Sequence, residues 1–174
     1  MKTLFLCLVC LPALRGFCGD PTLVPQLEPL RPLLEKTYKG EFAGSKPDKP
    51  LVDVMRWERA LNGSAVRMVH SLNDGAYGGE IIFTWDAAKS HIVYHYFTTG
   101  GFFTTGTMEV KDGRFVTHET VSGKAGGVTE TRGTSELLRD GALHVKTEYL
   151  RNGKWEPGRD VTYRMDSTAK VVFK

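Results

Sequence analysis

The chain has 174 residues, of which 41% are hydrophobic and 25% are charged. These fractions are typical of one folded domain and exclude a disordered chain, a collagen or a coiled coil. The formal net charge of +3 is too small to indicate binding to nucleic acid or to an anionic membrane. Nineteen glycines are more than a helical bundle tolerates, which favours a fold rich in turns.

The first 18 residues have the layout of a secretory signal peptide. Lys2 precedes an apolar run over 3–14, and Gly16 and Cys18 place small residues before a cut at Gly19. The run is too short to span a membrane, so we predict no transmembrane segment. The sequence therefore predicts a cleaved signal peptide over 1–18 and a secreted or periplasmic protein.

Cleavage at this position changes the cysteine count and the charge of the mature chain. Cys7, Cys10 and Cys18 would all be removed, leaving a domain over 19–174 without a thiol or a disulfide. The same cut would remove two basic residues and no acid, so the net charge would fall to about +1. Lipid attachment at Cys18 is the alternative, although Arg15 does not fit the sequence that precedes a lipidated cysteine.

Residues 20–36 contain four prolines, which exclude a long helix. A short amphipathic helix accommodates prolines in its first turn and places Leu27, Leu30 and Leu34 on one face. We predict that this helix covers one end of a β structure.

From Val52 onward the apolar pattern has a period of two, and turn signals such as Asp112-Gly113 and Asn152-Gly153 recur. These signals lie about 10–15 residues apart, which is typical of strands joined by hairpins. We also expect a bulge at Pro157-Gly158. The predicted strands are Thr37–Ala43, Val52–Leu61, Ala65–Leu72, Gly79–Trp85, His91–Thr98, Phe102–Val110, Arg114–Val121, Val128–Leu138, Ala142–Arg151, Trp155–Met165 and Lys170–Phe173.

Hairpin-linked strands can protect their edges by closing into a barrel or by splitting into a sandwich. A regular meander favours the barrel. The strands Arg114–Val121 and Val128–Leu138 also favour it, because they carry polar residues on both faces. A barrel around a partly polar cavity accommodates such strands because water or ligand can pair with the polar groups. The predicted fold is all-β, a single antiparallel up-and-down barrel of about ten strands with a short N-terminal capping helix.

Aromatic and charged side chains on the predicted strands are the candidates for lining a cavity. The sequence does not determine which face of each strand points inward, so the aromatic residues could instead pack in the barrel wall. The charged residues could instead lie on a solvated outer face. If Arg132 points inward, it could hold an anionic head group. The candidate ligand-binding residues are Arg56, Tyr94, Tyr96, Phe102, Glu119, Arg132 and Tyr163.

The histidines do not form a recognisable metal site. His91 and His95 share one face of a strand but lie about 13 Å apart at the usual rise per residue. His118 and Glu119 lack the second histidine of a zinc-binding helix. Nucleophile-elbow, phosphate-loop and dinucleotide-binding motifs are also missing from the sequence. We predict no metal and no cofactor, and a role as an enzyme is the less favoured interpretation.

Residues 34–40, LEKTYKG, resemble the start of calycin barrels, where a short helix leads into the first strand through a Leu-x-x-Thr-Trp-x-Gly-like signature. Tyr38 stands where that family has tryptophan. The resemblance covers about residues 29–174 and extends to the lipocalin-like, nitrobindin-like and fatty-acid-binding-like branches, most closely to uncharacterised bacterial secreted members. It implies a closed barrel with Tyr38 at one end and a ligand cavity. Haem is not implied, because His144 has no supporting motif.

These features predict a binding protein that holds a small hydrophobic or amphipathic molecule, and that is a monomer or weak dimer without nucleic acid. Two alternatives remain at this stage. The first is an isomerase or hydrolase that uses the same cavity, with Glu119, His118 or Arg132 as acid, base or anion clamp. The second is a structural or partner-binding barrel without a ligand.

Overall fold

A ring of ten antiparallel strands forms the body of the protein. The structure is a computed structural model that describes residues 22–174, so the predicted signal peptide over 1–18 lies outside the described residues. An N-terminal 3-10 helix, Pro25–Leu33, precedes the strands, and a short 3-10 turn, Leu61–Gly63, separates β2 from β3. The strands are β1 Thr37–Glu41, β2 Val52–Ala60, β3 Ala65–Leu72, β4 Tyr77–Asp86, β5 His91–Thr98, β6 Phe103–Lys111, β7 Arg114–Ser122, β8 Val128–Leu137, β9 Leu143–Arg151 and β10 Lys154–Met165.

Each strand pairs with the next strand along the chain, and β1 pairs with β10 to close the ring. At the closing junction the register joins Tyr38 to Met165 and Lys39 to Arg164. Asp112 and Asn152 adopt positive φ angles of 51° and 50° in their hairpin turns, as the turn chemistry predicts. The predicted up-and-down barrel is confirmed. Within residues 22–174, no helix has the length and apolar character needed to cross a bilayer.

The N-terminal helix covers one end of the barrel, as predicted, but its buried face differs from the expected one. Leu27, Leu30 and Leu33 are at most 1% exposed, whereas Leu34 is only partly buried and follows the helix. A 3-10 helix has three residues per turn, so residues three apart share a face. The 3.6-residue period of an α-helix, which pointed to Leu34, does not apply to this proline-containing segment.

The predicted strand Lys170–Phe173 is not formed. The ring is already closed by β1 and β10, so no strand edge remains for another strand to pair with. Instead, this C-terminal segment lies against the outside of the barrel, where the backbone N–H of Val172 donates to Oγ of Ser71 at 3.0 Å. This contact explains how Ser71, whose side chain points away from the cavity, is only 2% exposed.

Apolar side chains fill the barrel interior next to the N-terminal helix. Trp57 stacks on Phe83 with ring centroids 5.4 Å apart, and Phe83 contacts Tyr94 at 5.1 Å. Tyr38 is completely buried in the same core, in agreement with its expected place at one end of the barrel. The core therefore seals this end and leaves open space further along the barrel axis.

Candidate functional site

The interior of the barrel holds two pockets that share five lining residues, and we call them the inner and outer lobes of the cavity. The inner lobe lies next to the apolar core and has a volume of about 110 Å³. Its lining is largely hydrophobic, as in most small-molecule sites. The apolar side chains that line it are Leu33, Met55, Trp57, Met68, Ile81, Phe83, Tyr94, Met108, Phe115, Leu143 and Val145.

The outer lobe has a volume of about 210 Å³ and extends toward the end of the barrel opposite the N-terminal helix. Loop residues Phe42, Phe102 and Ala125 contribute to its lining. Phe102 also stacks on Tyr77 with ring centroids 6.4 Å apart. More polar side chains line the outer lobe than the inner lobe, and they include Asp53, Tyr77, Thr104, Thr131 and Tyr149.

Five residues line both lobes and form what we call the waist of the cavity. They come from strands on all sides of the barrel, so the waist is a ring of polar groups between an apolar chamber and a more polar one. The waist consists of His70 on β3, Tyr96 on β5, Glu119 on β7, Thr147 on β9 and Arg159 on β10.

A β-bulge directs Arg159 into the cavity. The register between β10 and β9 shifts between Pro157 and Asp160, so Gly158 and Arg159 together oppose Thr147. Without the extra residue, strict alternation from Pro157 would place Arg159 on the outside. The backbone N–H of Arg159 donates to Oγ1 of Thr147 at 2.8 Å, which fixes the bulge.

The Arg159 guanidinium has no ion-pair partner, because no carboxylate of residues 22–174 lies within 4.0 Å of it. Its Nε is buried and lacks a hydrogen-bond partner among the same residues. Burial alone would lower the pKa of Arg159, but the nearby oxygen atoms of Tyr163, Asp53 and Tyr149 raise it. The waist therefore carries a positive charge that interacts with the Asp53 carboxylate without forming a direct ion pair with it.

A chain of hydrogen bonds connects the waist to a buried carboxylate. Nδ1 of His70 lies 2.9 Å from Oδ1 of Asp53, and Nε2 lies 2.7 Å from the hydroxyl of Tyr96. The hydroxyl of Tyr77 lies 2.9 Å from that of Tyr96. With a neutral imidazole, Tyr77 donates to Tyr96, Tyr96 to His70, and His70 to Asp53. This network fixes the positions of His70 and Tyr96 in the waist.

Asp53 is 1% exposed and serves as the acceptor at the end of this chain. Burial alone would raise the pKa of Asp53, but its hydrogen bond with His70, the charge of Arg159 and the hydrogen bond from Tyr163 lower it. The carboxylate is thus ionised, and both of its oxygens have partners, since the Tyr163 hydroxyl donates to Oδ2 at 2.7 Å.

Glu119 is the carboxyl group of the waist, and its surroundings shift its pKa in the opposite direction to that of Asp53. Burial raises the pKa of Glu119, and this effect exceeds the influence of its hydrogen bonds and of Arg159. The Thr104 hydroxyl donates to Oε2 at 2.5 Å, and Tyr94 is a second hydrogen-bond partner. The protonated form of Glu119 is therefore favoured over a wider pH range than in water.

Four of the seven residues selected from the sequence line the cavity. Tyr94 lines the inner lobe, Phe102 the outer lobe, and Tyr96 and Glu119 line both. Tyr163 also points inward, but it is completely buried behind the cavity wall, where it supports Asp53.

Arg56 and Arg132 do not reach the cavity, contrary to the expectation that placed them there. Arg56 is on the outer face of β2 and pairs with Glu35 and Glu58. Arg132 is on the outer face of β8, where it pairs with Glu148 at 2.7 Å and lies 4.2 Å from the centre of the Trp155 ring. Carboxylates and an aromatic ring on the outer face satisfy both guanidinium groups, so neither needs to face inward.

The residues considered for acid–base or metal chemistry are divided between the two faces. His118 points outward and contacts Glu130 at 2.9 Å, so of the three proposed catalytic groups only Glu119 faces the cavity. His144 also points outward and contacts Asp160 at 2.9 Å. Among the described residues, no cluster of three or more His, Cys, Asp or Glu side chains is arranged to hold a metal ion.

Three important residues of the site were not selected from the sequence. Asp53, His70 and Arg159 each look like an ordinary polar residue on a strand, and the hydrogen bonds that connect them join distant strands. A signal for Arg159 was present in the expected bulge at Pro157-Gly158, because a bulge reverses the side-chain alternation that follows it.

The fold and the cavity together define a closed ten-stranded antiparallel β-barrel with an internal two-lobed cavity. Neither a protein-family model nor a curated protein sequence matches the chain. Among solved structures, it is similar to the crystal structure of Rv2717c from M. tuberculosis, with a TM-score of 0.59. The sequences are 14% identical, and the superposition covers 83% of this chain and 99% of that chain. At this identity the similarity supports the fold alone.

Proposed function

We propose that the protein binds a small amphipathic molecule inside the barrel, with its apolar part in the inner lobe and its polar part at the waist. The observation that carries this proposal is the change in lining between two pockets that share the five residues of the waist. The inner lobe is bounded by aliphatic and aromatic side chains, and the polar groups of the waist border it directly. An amphipathic ligand matches both environments at the same time.

The dimensions of the cavity support a small ligand. An apolar cavity of about 150 Å³ is sufficient for benzene, and the inner lobe is somewhat smaller at about 110 Å³. The outer lobe adds about 210 Å³, which leaves room for a polar group and for water. The hydrogen bonds that fix His70 and Tyr96 reduce the cost of ordering the site when a ligand binds.

Native mass spectrometry of the protein purified from its own host tests the proposal directly, because a retained ligand would appear as added mass. Titration with the neutral fluorescent probe N-phenyl-1-naphthylamine provides a second test, and we expect its emission to increase on binding. Ser135→Leu adds apolar volume to the inner lobe and should weaken probe binding at least fivefold.

Thr134→Leu is the matched control, because Thr134 is the exposed neighbour of Ser135 on the same strand and points outward. This variant should bind the probe within twofold of the unmodified protein. Equal probe affinity in the two variants, or a protein that neither retains a ligand nor binds the probe, would contradict the proposal.

We also propose that this binding takes place outside the cytoplasm and that the chain belongs with the calycin barrels. The apolar N-terminal segment supports the location, and the LEKTYKG segment, with Tyr38 buried at the start of β1, supports the relationship. Intact-mass measurement of the protein from its host tests the location. A chain that begins at Gly19 is the expected result, and an uncleaved chain in the cytoplasm would contradict it.

A further inference from the structure

We propose that the outer face of β5 and β6 is an interface at which two copies of this chain associate about a two-fold axis. The starting observation is the distribution of charge around the outside of the barrel. On one side of this face, Arg67 on β3 pairs with Glu80 on β4 at 2.8 Å. On the other side, His118 on β7 contacts Glu130 on β8 at 2.9 Å. Among residues 22–174, no side chain of β5 or β6 takes part in an ion pair.

Aromatic and hydroxyl side chains replace charged ones on this face. Phe97 and Phe103 are opposite each other in the register of β5 with β6. They are 53% and 43% exposed, and their ring centroids lie 6.3 Å apart. His95 stacks on Phe97 at the same distance.

We call the whole set of outward side chains in this region the aromatic face. It contains no Lys, Arg, Asp or Glu. Depletion of charged residues and enrichment of aromatic ones distinguish the centre of a protein–protein interface from the rest of a surface. The aromatic face consists of Val93, His95 and Phe97 on β5, Phe103, Thr105 and Thr107 on β6, and Thr120 and Ser122 on β7.

A depression at the edge of the aromatic face makes this surface self-complementary. It has a volume of about 210 Å³ and is bounded by Phe97 and by Phe173 of the C-terminal segment. A space of about 150 Å³ accommodates benzene, so the depression is large enough for a phenyl ring. Phe103 is an exposed ring on the same surface. A two-fold contact uses the same surface on both copies, so Phe103 of each copy can occupy the depression of the other.

The charges around the aromatic face have both signs, which favours a second copy as the partner. Glu80, paired with Arg67, borders the depression. Glu109 and Lys111 are both exposed at the far end of β6. An anionic membrane or a nucleic acid requires a rim that is predominantly positive. A rim that contains both signs can instead bring opposite charges together when it meets its own copy.

Sedimentation velocity of the protein purified from its own host tests the inference. We expect a dimer at protein concentrations of roughly 100 µM that dissociates on dilution. Phe97→Asp should weaken the dimer at least tenfold, because each copy would bury a charge without a partner in the interface. Leu61→Asp is the matched control. Leu61 is 70% exposed in the turn between β2 and β3, and this variant should leave the dimer dissociation constant within twofold.

Thr105→Lys adds a charge to the aromatic face without removing a ring, and it provides a second variant if Phe97→Asp does not fold. Both variants should bind N-phenyl-1-naphthylamine within twofold of the unmodified protein, because neither residue lines the cavity. The inference is thus tested separately from the proposed function. An unmodified protein that stays monomeric, or a dimer that neither variant weakens, would overturn the inference. A monomer that binds phosphatidylcholine vesicles, and loses this binding in Phe97→Asp, would overturn it in favour of a lipid surface.

Discussion

The hydroxyl of Tyr163 on β10 donates a 2.7 Å hydrogen bond to Oδ2 of Asp53 on β2, two residues that lie 110 positions apart in the sequence. Both side chains are at most 1% exposed, so water cannot replace either partner. The bond links β10 to β2, the two strands that flank β1 in the ring. It holds Oδ2 of the Asp53 carboxylate, while Oδ1 of the same group orients His70.

Tyr163→Phe should lower the free energy of unfolding by about 1.5–3 kcal/mol, because it removes a buried hydrogen bond to a charged group. The same change should raise the pKa of Asp53 toward its ordinary value. Since a lowered carboxyl pKa contributes stability that is lost as the pH falls, the variant should have less of this contribution at neutral pH. Urea unfolding at pH 7 and at pH 4 measures both effects. A variant as stable as the unmodified protein at pH 7 would contradict this role of Tyr163.

Tyr38→Phe should have the opposite outcome, although Tyr38 is also completely buried. Its hydroxyl has no hydrogen-bond partner among residues 22–174, so removing the oxygen removes an unsatisfied polar atom. We expect the free energy of unfolding to stay the same or to rise by about 1 kcal/mol. The comparison with Tyr163→Phe under the same urea conditions separates hydrogen bonding from packing, and a clear loss of stability would show that the hydroxyl has a partner.

The fold was predictable from local signals, whereas the centre of the site was not. The Asp112-Gly113 and Asn152-Gly153 turns specify hairpins within a few residues of sequence, and a barrel follows when every strand pairs with its neighbour. The partners of Asp53 and His70 lie on other strands. Alternation within one strand cannot indicate such pairings, and at Arg159 the bulge reverses the alternation itself.

The charged candidates illustrate the same limit. Arg132 and Glu119 are both charged residues on strands of alternating pattern, yet Arg132 lies outside and Glu119 inside. The register of β7 with β6 places Glu119 opposite Gly106, and the space above this glycine admits the Tyr94 ring. Only the assembled barrel reveals this arrangement.

Glu119 contributes less to the free energy of unfolding as the pH rises, and Glu119→Gln should remove this part of the pH dependence. The folded protein raises the pKa of Glu119 above its ordinary value of 4.5. The contribution of this group is therefore fully present below pH 4.5 and decreases as the pH rises through the raised pKa. Each unit by which the pKa is raised corresponds to about 1.4 kcal/mol. Glutamine cannot ionise and lacks this pH dependence.

Urea unfolding at several values between pH 4 and pH 8 provides the measurement. The stability of Glu119→Gln relative to the unmodified protein should increase with pH across this range. Glu109→Gln is the control, because Glu109 is exposed on the outer face of β6. A constant difference between Glu119→Gln and the unmodified protein would show that burial does not alter the ionisation of Glu119.

Gly106→Ala should disturb the wall of the inner lobe. A Cβ at this position would lie 2.5 Å from Cζ of Tyr94 and 2.8 Å from the carbonyl oxygen of His118, so the tyrosine ring must move. Overpacking of this kind costs about 1–3 kcal/mol, and it should also weaken binding of N-phenyl-1-naphthylamine. Thermal unfolding gives the first effect and probe titration the second. Gly44→Ala is the control because no atom lies within 4 Å of the added carbon, and equal stability of the two variants would contradict the prediction.

The junction between β1 and β10 has a consequence for the kinetics of folding. Nine of the ten junctions in the ring connect consecutive strands, so they can form as local hairpins. The tenth joins Tyr38 to Met165 and must overcome the entropy of closing a loop that contains nearly the whole barrel. Proteins dominated by such non-local contacts fold in roughly milliseconds to seconds. If this junction forms after the main folding barrier, substitutions at β1 and β10 will change the unfolding rate much more than the folding rate.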